Sequence, residues 1–365
     1  MGLDQKLIIL QPYLMPYRLS VYKELAQWYQ VTIFSSLLDE KSNNKICLDD
    51  SGIAECRYFP MLDFLGGRLK YQKGMLMAVI RSRPDKVFAA ADPRLINYWL
   101  ILIYCFMFRI PFFSHGHGVY RKPNPSYAYK LMYRLMVKIS DCYVAYTEMS
   151  KESMAKIGAA DEKMKVVENT LICSSTVQPK EKHGDEQGVL FLGRLREGCQ
   201  LDLMLSVVEE LRKSHDHCEH LEIHVIGDGE ERQRLLTAGY DLDFVNWHGE
   251  VYDEDVISEI SKKCFVGCYP GNVGLSLVHM MSLSLPVLVN DDVCFHGPEH
   301  SYLRDGVNGL LFERSDQHNS LKAKLIEARC SGEWLKSAQM NAYETYRSLS
   351  VPSYGEKIKV VLEQA

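Results

Sequence analysis

Short apolar runs alternate with segments of helical spacing twice along this chain, and a polar stretch separates the two series. In the first series, strands are expected at Lys6 to Leu10, Gln30 to Ser35, Lys86 to Ala90, Pro111 to Ser114, Cys142 to Tyr146 and Lys165 to Glu168. Helices are expected between them at Tyr17 to Tyr29, Gly67 to Ser82, Leu95 to Phe108, Tyr127 to Ser140 and Met149 to Ile157. Runs this short and continuous suit strands buried on both faces, and parallel pairing of such strands needs a crossover, which the helices supply. Residues 173–187 are polar and have no periodic apolar face, so they read as a linker. The alternation restarts at Gly188 to Leu192 and continues through strands at Leu221 to Ile226, Val245 to His248, Phe265 to Tyr269 and Pro286 to Asn290. The expected class is α/β, with two Rossmann-like doubly wound domains facing each other across a cleft. Residues 1–172 would form the first domain, 188–335 the second, and 336–365 a helical tail returning to the first.

A chain of 365 residues is long enough for two cores. Its net charge of -5 and pI near 6.2 exclude a general nucleic-acid binder, because no surplus of cations is available for a phosphate backbone. The 11 cysteines are scattered from Cys47 to Cys330 in no dense framework, as in a reducing compartment. Leu7 to Leu10 is too short for a signal-peptide core. The apolar stretch Leu95 to Phe108 is shorter than the ~20 residues a membrane span needs and reads as a buried helix. A cytoplasmic protein is expected. Cys264 and Cys268 read as structural, Asp241 and Asp243 as an ordinary turn, and His215, His217, Cys218, His220 and His224 as a solvated polar connection rather than a metal site.

Candidate binding residues cluster at expected strand ends, where open α/β sheets take ligands. After Leu192 come Gly193, Arg194, Leu195 and Arg196, placing cations where a diphosphate can meet them. Gly227, Asp228 and Gly229 follow the next strand, with glycines that admit positive φ and close approach of a ligand. Gly271, Asn272, Val273, Gly274, Leu275 and Ser276 form a small-residue turn opening a helix, whose free amides and dipole suit a pyrophosphate. Asn272, Ser276 and His279 recur at helical spacing as one polar stripe. In the first half, Ser114-His115-Gly116-His117-Gly118 follows a strand, leaving two histidines as candidates. Lys130, Arg134 and Lys138 fall four apart on one helix, a basic ridge suited to an anionic leaflet.

These motifs, with Phe295-His296-Gly297-Pro298-Glu299 and Asp305-Gly306-Val307-Asn308-Gly309-Leu310-Leu311, resemble the retaining GT-B glycosyltransferases of family four (glycosyl transferases group 1). The resemblance is to a subgroup reading Pro-Gly-Asn-Val-Gly-Leu: Gly271 and His279 stand where the family has two glutamates eight positions apart, contacting the donor sugar and the ribose. The family's Lys-Gly after Gly-Arg-Leu is also missing, which leaves its role absent or passed to Arg196. The resemblance implies transfer of a sugar, with retention and without a metal or other cofactor, from a UDP- or GDP-linked donor to a saccharide or polyprenyl-linked saccharide, in cell-surface polysaccharide biosynthesis. It places Arg194 at the leaving diphosphate and either His115 or His117 beside the transferred sugar, and it allows a peripheral position at the inner face of the cell membrane. A sugar-nucleotide epimerase of the same fold and a non-catalytic nucleotide-sugar-binding subunit are the alternatives.

Overall fold

Strands whose side chains are apolar on both faces can hide them only between two layers of helices, and the computed structural model is built that way. It describes residues 4–37, 53–240 and 242–364, so Cys47 and Asp241 lie outside the described residues. The chain divides into two units, Met1–Ile172 with Pro352–Ala365, and Cys173–Val351.

The elements of the first unit run β1 (Lys6–Tyr13), α1 (Pro16–Leu25), β2 (Gln30–Ser36), β3 (Glu55–Tyr58), β4 (Met61–Phe64), β5 (Leu69–Gln72), α2 (Met75–Ser82), β6 (Lys86–Ala90), α3 (Ile96–Phe108), β7 (Phe112–Gly116), α4 (Tyr127–Ile139), β8 (Cys142–Ala145), α5 (Glu148–Lys156) and β9 (Met164–Val166). The main sheet has the order β3-β2-β1-β6-β7-β8-β9 with every pair parallel, and its direction of winding reverses between β1 and β6. The helix expected from Gly67 to Ser82 is shorter than its apolar spacing suggests. Gly66 and Gly67, with φ of 65° and 81°, turn the β4–β5 hairpin, and Gly74 at 89° opens α2, so left-handed backbone breaks the pattern.

Helix α3 corrects the expectation of a buried helix. Asn97, Tyr98, Ile101, Leu102 and Cys105 are buried against the sheet, while Leu100, Ile103, Phe106, Met107 and Phe108 are exposed, the last three at 67%, 70% and 64%. A helix apolar all round carries no mark of which face will be covered.

The second unit runs β10 (Gly188–Leu192), α6 (Leu201–Ser214), β11 (Glu222–Ile226), α7 (Glu231–Thr237), β12 (Val245–Gly249), α8 (Glu254–Ser261), β13 (Cys264–Cys268), α9 (Ser276–Ser282), β14 (Val287–Asn290), β15 (Gly309–Phe312), α10 (Gln317–Cys330) and α11 (Gly332–Ser350). Its sheet, β12-β11-β10-β13-β14-β15, is again all parallel and reverses between β10 and β13. The segment read as a linker packs on this unit. Lys182 donates from Nζ to the carbonyls of Ser261 and Cys264 at 2.6 and 3.0 Å, and burial pushes its ammonium down to about 8. Glu186, itself buried, accepts the amides of His183 and Gly184. Residues 336–350 also stay with the second unit as the greater part of α11.

Only the last helix, α12 (Tyr354–Glu363), belongs to the first unit. A capping box between Ser353 and Glu356 starts it, and Tyr354, Ile358, Val361 and Leu362 join the core formed by β1 and α1. Two further residues depart from the sequence reading. His224 lies on β11, buried, with its Nδ1 at 3.0 Å from Nε2 of His248, and Cys218 is fully buried, so neither belongs to a solvated connection. Cys264 and Cys268 are fully buried on β13, and the ten described cysteines form no disulfide.

Candidate functional site

In the second unit, three loops meet at the carboxyl ends of β10, β11 and β13, beside the point where the winding reverses. Gly193 (φ 150°) and Gly227 (φ 138°) let two of them touch: a Cβ on Gly227 would lie 2.0 Å from the Gly193 carbonyl oxygen. The Gly193 amide donates to the Ile226 carbonyl, and that of Leu195 to Asp228. A Cβ on Gly193 would lie 3.0 Å from Ser276 Oγ, so the turn after β10 also abuts the start of α9.

Both arginines of this turn point outward. Arg194 pairs with Glu230 at 3.3 Å, an exposed contact that costs little to exchange for an anionic ligand. Arg196 reaches the Asn272 carbonyl at 3.5 Å. Its guanidinium thereby lies beside the glycine-rich loop.

The loop itself is less open than its glycines suggest. The amides of Gly271 and Asn272 donate to the carbonyls of Cys199 and Gly198, and a Cβ on Gly271 would come within 1.8 Å of the Gly198 oxygen. Val273 is fully buried, with its amide donated to Nδ1 of His296 at 3.2 Å. These three amides are spent on the fold, and Val273 faces away from any ligand. Helix α9 begins at Ser276, so Asn272 stands on the loop and not on the helical stripe. Asn272, Gly274, Leu275, Ser276 and His279 are the partly exposed residues of the segment. The Asn272 side-chain oxygen is buried without a partner, an acceptor that a ligand hydroxyl would satisfy.

His279 is paired through Nε2 with Glu254 Oε2 at 3.0 Å, so a ligand meets an imidazole–carboxylate pair. Glu254 opens α8, 25 residues earlier, and nothing in the sequence links the two. Cys173 brings its sulfur to the same place: one sulfur, one carboxylate oxygen and one ring nitrogen lie within 4.8 Å of one another, a donor set able to hold a divalent cation.

The first unit has its own cavity, of about 350 Å³, at the carboxyl ends of β6, β7 and β8. Both candidate histidines line it, in different states. His115 is buried, its Nε2 2.8 Å from the Tyr354 hydroxyl and its ring against Phe88 and Tyr146. Burial, and secondarily the Arg18 charge, hold its imidazole well below the usual histidine range. His117 is exposed at the cavity mouth, and its recess together with Arg121 lowers its pKa as well. Both are neutral at pH 7, and His117 is the one with open access. On α4, Arg134 and Lys138 are exposed and Lys130 is half-buried, and among the described residues none of the three has a carboxylate partner.

Residues 186–329 match the family model described as "Glycosyl transferases group 1". No curated protein sequence matches the chain. Among solved structures, Anabaena Alr3699/HepE in complex with UDP is similar at 15% identity and a TM-score of 0.72, covering 99% of this chain and 100% of that one. A glycosyltransferase from Rickettsia africae ESF-5 is similar at 14% identity and 0.70, covering 98% and 97%. The lipopolysaccharide outer core galactosyltransferase WaaB, in its apo form, is similar at 14% and 0.66, covering 99% and 100%. The likeness extends over both units and shows the fold, the two Rossmann-like domains of the GT-B type.

Proposed function

We propose that the protein is a retaining glycosyltransferase that moves a sugar from a nucleotide-sugar to a saccharide or lipid-linked saccharide in polysaccharide biosynthesis. The observation that carries this is the meeting of the Gly193–Arg196 turn, the Gly227–Gly229 turn and the start of α9 at one sheet edge, inside the segment that matches the family model. UDP is the favoured nucleotide, because the HepE structures that resemble this chain are complexes with UDP or UDP-glucose.

In the proposed reaction, the bond between the sugar's anomeric carbon and the diphosphate oxygen breaks and one to the acceptor oxygen forms. The acceptor's proton passes to the departing phosphate oxygen. Arg194 and Arg196 balance the negative charge that grows on the diphosphate, which lowers the barrier because they are already in place. The amides of Gly274 and Leu275, which donate to no protein group among the described residues, add to this. Asn272 and the His279–Glu254 pair hold hydroxyls of the donor. His117, rather than the enclosed His115, stands by the transferred sugar.

The reading extends to location. Exposed apolar residues of α3 lie on the same face of the sheet as the ridge of Lys130, Arg134 and Lys138, and helices α2, α3 and α4 contain no Asp or Glu. Helices that together present apolar and cationic side chains and no acids suit the surface of an anionic bilayer. No described helix is long and apolar enough to cross a membrane.

The test is incubation of the pure protein with UDP- and GDP-sugars, following slow donor hydrolysis, together with titration of UDP. Arg194→Ala should raise the UDP dissociation constant about tenfold or more, the loss of a charge-assisted contact. Absence of hydrolysis and of UDP binding in folded wild-type protein would refute the reading.

A further inference from the structure

Three stretches far apart in sequence meet at one point of the second unit. Cys173 is the first residue of that unit, Glu254 opens α8, and His279 lies on α9. Among the described residues this is the one group of three sulfur, nitrogen and carboxylate donors whose ligand atoms all lie within 4.8 Å of one another. Each of the three residues is partly exposed, so an ion can reach them and their side chains have room to turn.

The donor types select the ion. Magnesium and calcium take oxygen ligands, whereas a thiolate, an imidazole and a carboxylate in one place suit zinc. Thiolate and carboxylate together carry two negative charges, which a divalent ion cancels, so the cluster is neutral once loaded. Tetrahedral bonds of about 2.0–2.3 Å set ligand atoms about 3.3–3.6 Å apart. The Glu254–His279 pair, at 3.0 Å, has to open slightly, and separations of up to 4.8 Å have to close by about 1 Å. Burial, and secondarily the Glu254 charge, push the Cys173 thiol up to about 12, while the Ser282 and Tyr346 side chains pull the other way. An ion between sulfur and carboxylate turns that repulsion into attraction and displaces the thiol proton to solvent. Tyr346 also accepts the Cys173 amide at 3.3 Å, an outer contact that holds the residue beside α11.

We propose that Cys173, Glu254 and His279 bind one zinc ion, which ties the start of the second unit to α8 and α9. Three protein ligands leave the fourth tetrahedral position to water or an anion. His279 and Glu254 also belong to the donor contacts proposed above, so Cys173 is the ligand to remove first, and metal binding is read without any sugar or nucleotide.

The experiment uses the full chain, stripped with a chelator and titrated with Co2+ as a spectroscopic stand-in for zinc. A sulfur-to-cobalt charge-transfer band should appear and saturate at one equivalent. Zn2+ should displace it, and a large excess of Mg2+ should not. In C173A the band should be lost and zinc affinity should fall about a hundredfold or more, since a direct ligand matters at least as much as an outer-shell partner. Zinc should raise the melting temperature of the wild type and leave that of C173A where it was. In E254Q, cobalt affinity should fall about tenfold or more. No charge-transfer band in the wild type, or a band of equal affinity in C173A, overturns the proposal. Should C173A not fold, E254Q decides alone: cobalt affinity equal to that of the wild type overturns it.

Discussion

His115 and His117 sit two residues apart at the end of one strand and have opposite fates. His115 is a packing residue: its ring fills space between Phe88 and Tyr146, and its nitrogen satisfies Tyr354. His115→Ala should cost about 2–4 kcal/mol of stability, the loss of a buried ring and of its hydrogen bond with Tyr354, read by thermal or urea unfolding. His117→Ala should leave the melting temperature nearly unchanged and UDP affinity within twofold, yet cut sugar transfer by about a hundredfold or more. Equal transfer rates in His117→Ala and wild type would remove it from the site. The two were indistinguishable in sequence because alternation along a strand places them on the same face, and only the partners that α12 and the cavity provide separate them. The position of Arg194 just beyond β10 was legible for the opposite reason: a cation that follows a buried apolar strand emerges at the sheet's carboxyl edge. Glu254 could not be foreseen, since the contact with His279 is made by packing α8 beside α9 and leaves no local signal.

At the scale of elements, β11 and β12 share a histidine pair, His224 buried and His248 half-buried, with a consequence for acid stability. Burial first, then the neighbouring His248, push His224 down to about 4 from 6.5. The unfolded chain thus binds a proton that the folded chain refuses between these values. Stability from the neutral form is complete above about pH 6.5 and declines as pH falls toward 4, with a slope of up to ~1.4 kcal/mol per pH unit. Calorimetry between pH 7 and 4 should show this decline, and it should flatten in His224→Phe. Helix α3 raises a different question. Its sequence states that it is apolar, whereas which stripe is covered follows from the neighbours, and here Phe106, Met107 and Phe108 were left in the open. A second copy of the chain is a poor cover for this face, because a two-fold contact would set its cations against themselves. Vesicle flotation with anionic lipid should recover the wild type, and replacing Phe106, Met107 and Phe108 by Ser should reduce partitioning about tenfold or more even where the ridge of Lys130, Arg134 and Lys138 is intact. Equal flotation of both proteins would refute apolar insertion.

Over the whole molecule, the two series of strands and helices were readable because parallel sheets bury their strands on both faces and announce them as apolar runs. Which unit the polar segment and the carboxyl-terminal helices join was not, because that depends on contacts. The polar segment after Cys173 is tied down by Lys182 and Glu186, and α11 and α12 adjoin in sequence yet belong to different units. The chain therefore enters the second unit at Cys173 and leaves it after Val351, so the first unit is completed by a segment that follows the second. Tyr354, Ile358, Val361 and Leu362 are buried in its core, Gly355 donates its amide to Glu24, and Tyr354 meets both Arg18 and His115. Four buried apolar side chains at about 1.5–3 kcal/mol each approach the whole stability of an ordinary domain. Deleting residues 352–365 should therefore unfold the first unit, abolishing sugar transfer and the protection of its core amides against hydrogen exchange. The second unit has its own sheet and helices and, in the proposed function, the nucleotide site, so UDP binding and protection in β10, β11 and β13 should persist in the same truncated protein. On that reading UDP binds only the folded form of that unit, and adding it at a hundredfold excess over its dissociation constant should raise the remaining transition by about 2.7 kcal/mol. Retention of first-unit protection after the deletion, or loss of UDP binding with it, would show that the units do not stand apart in this way.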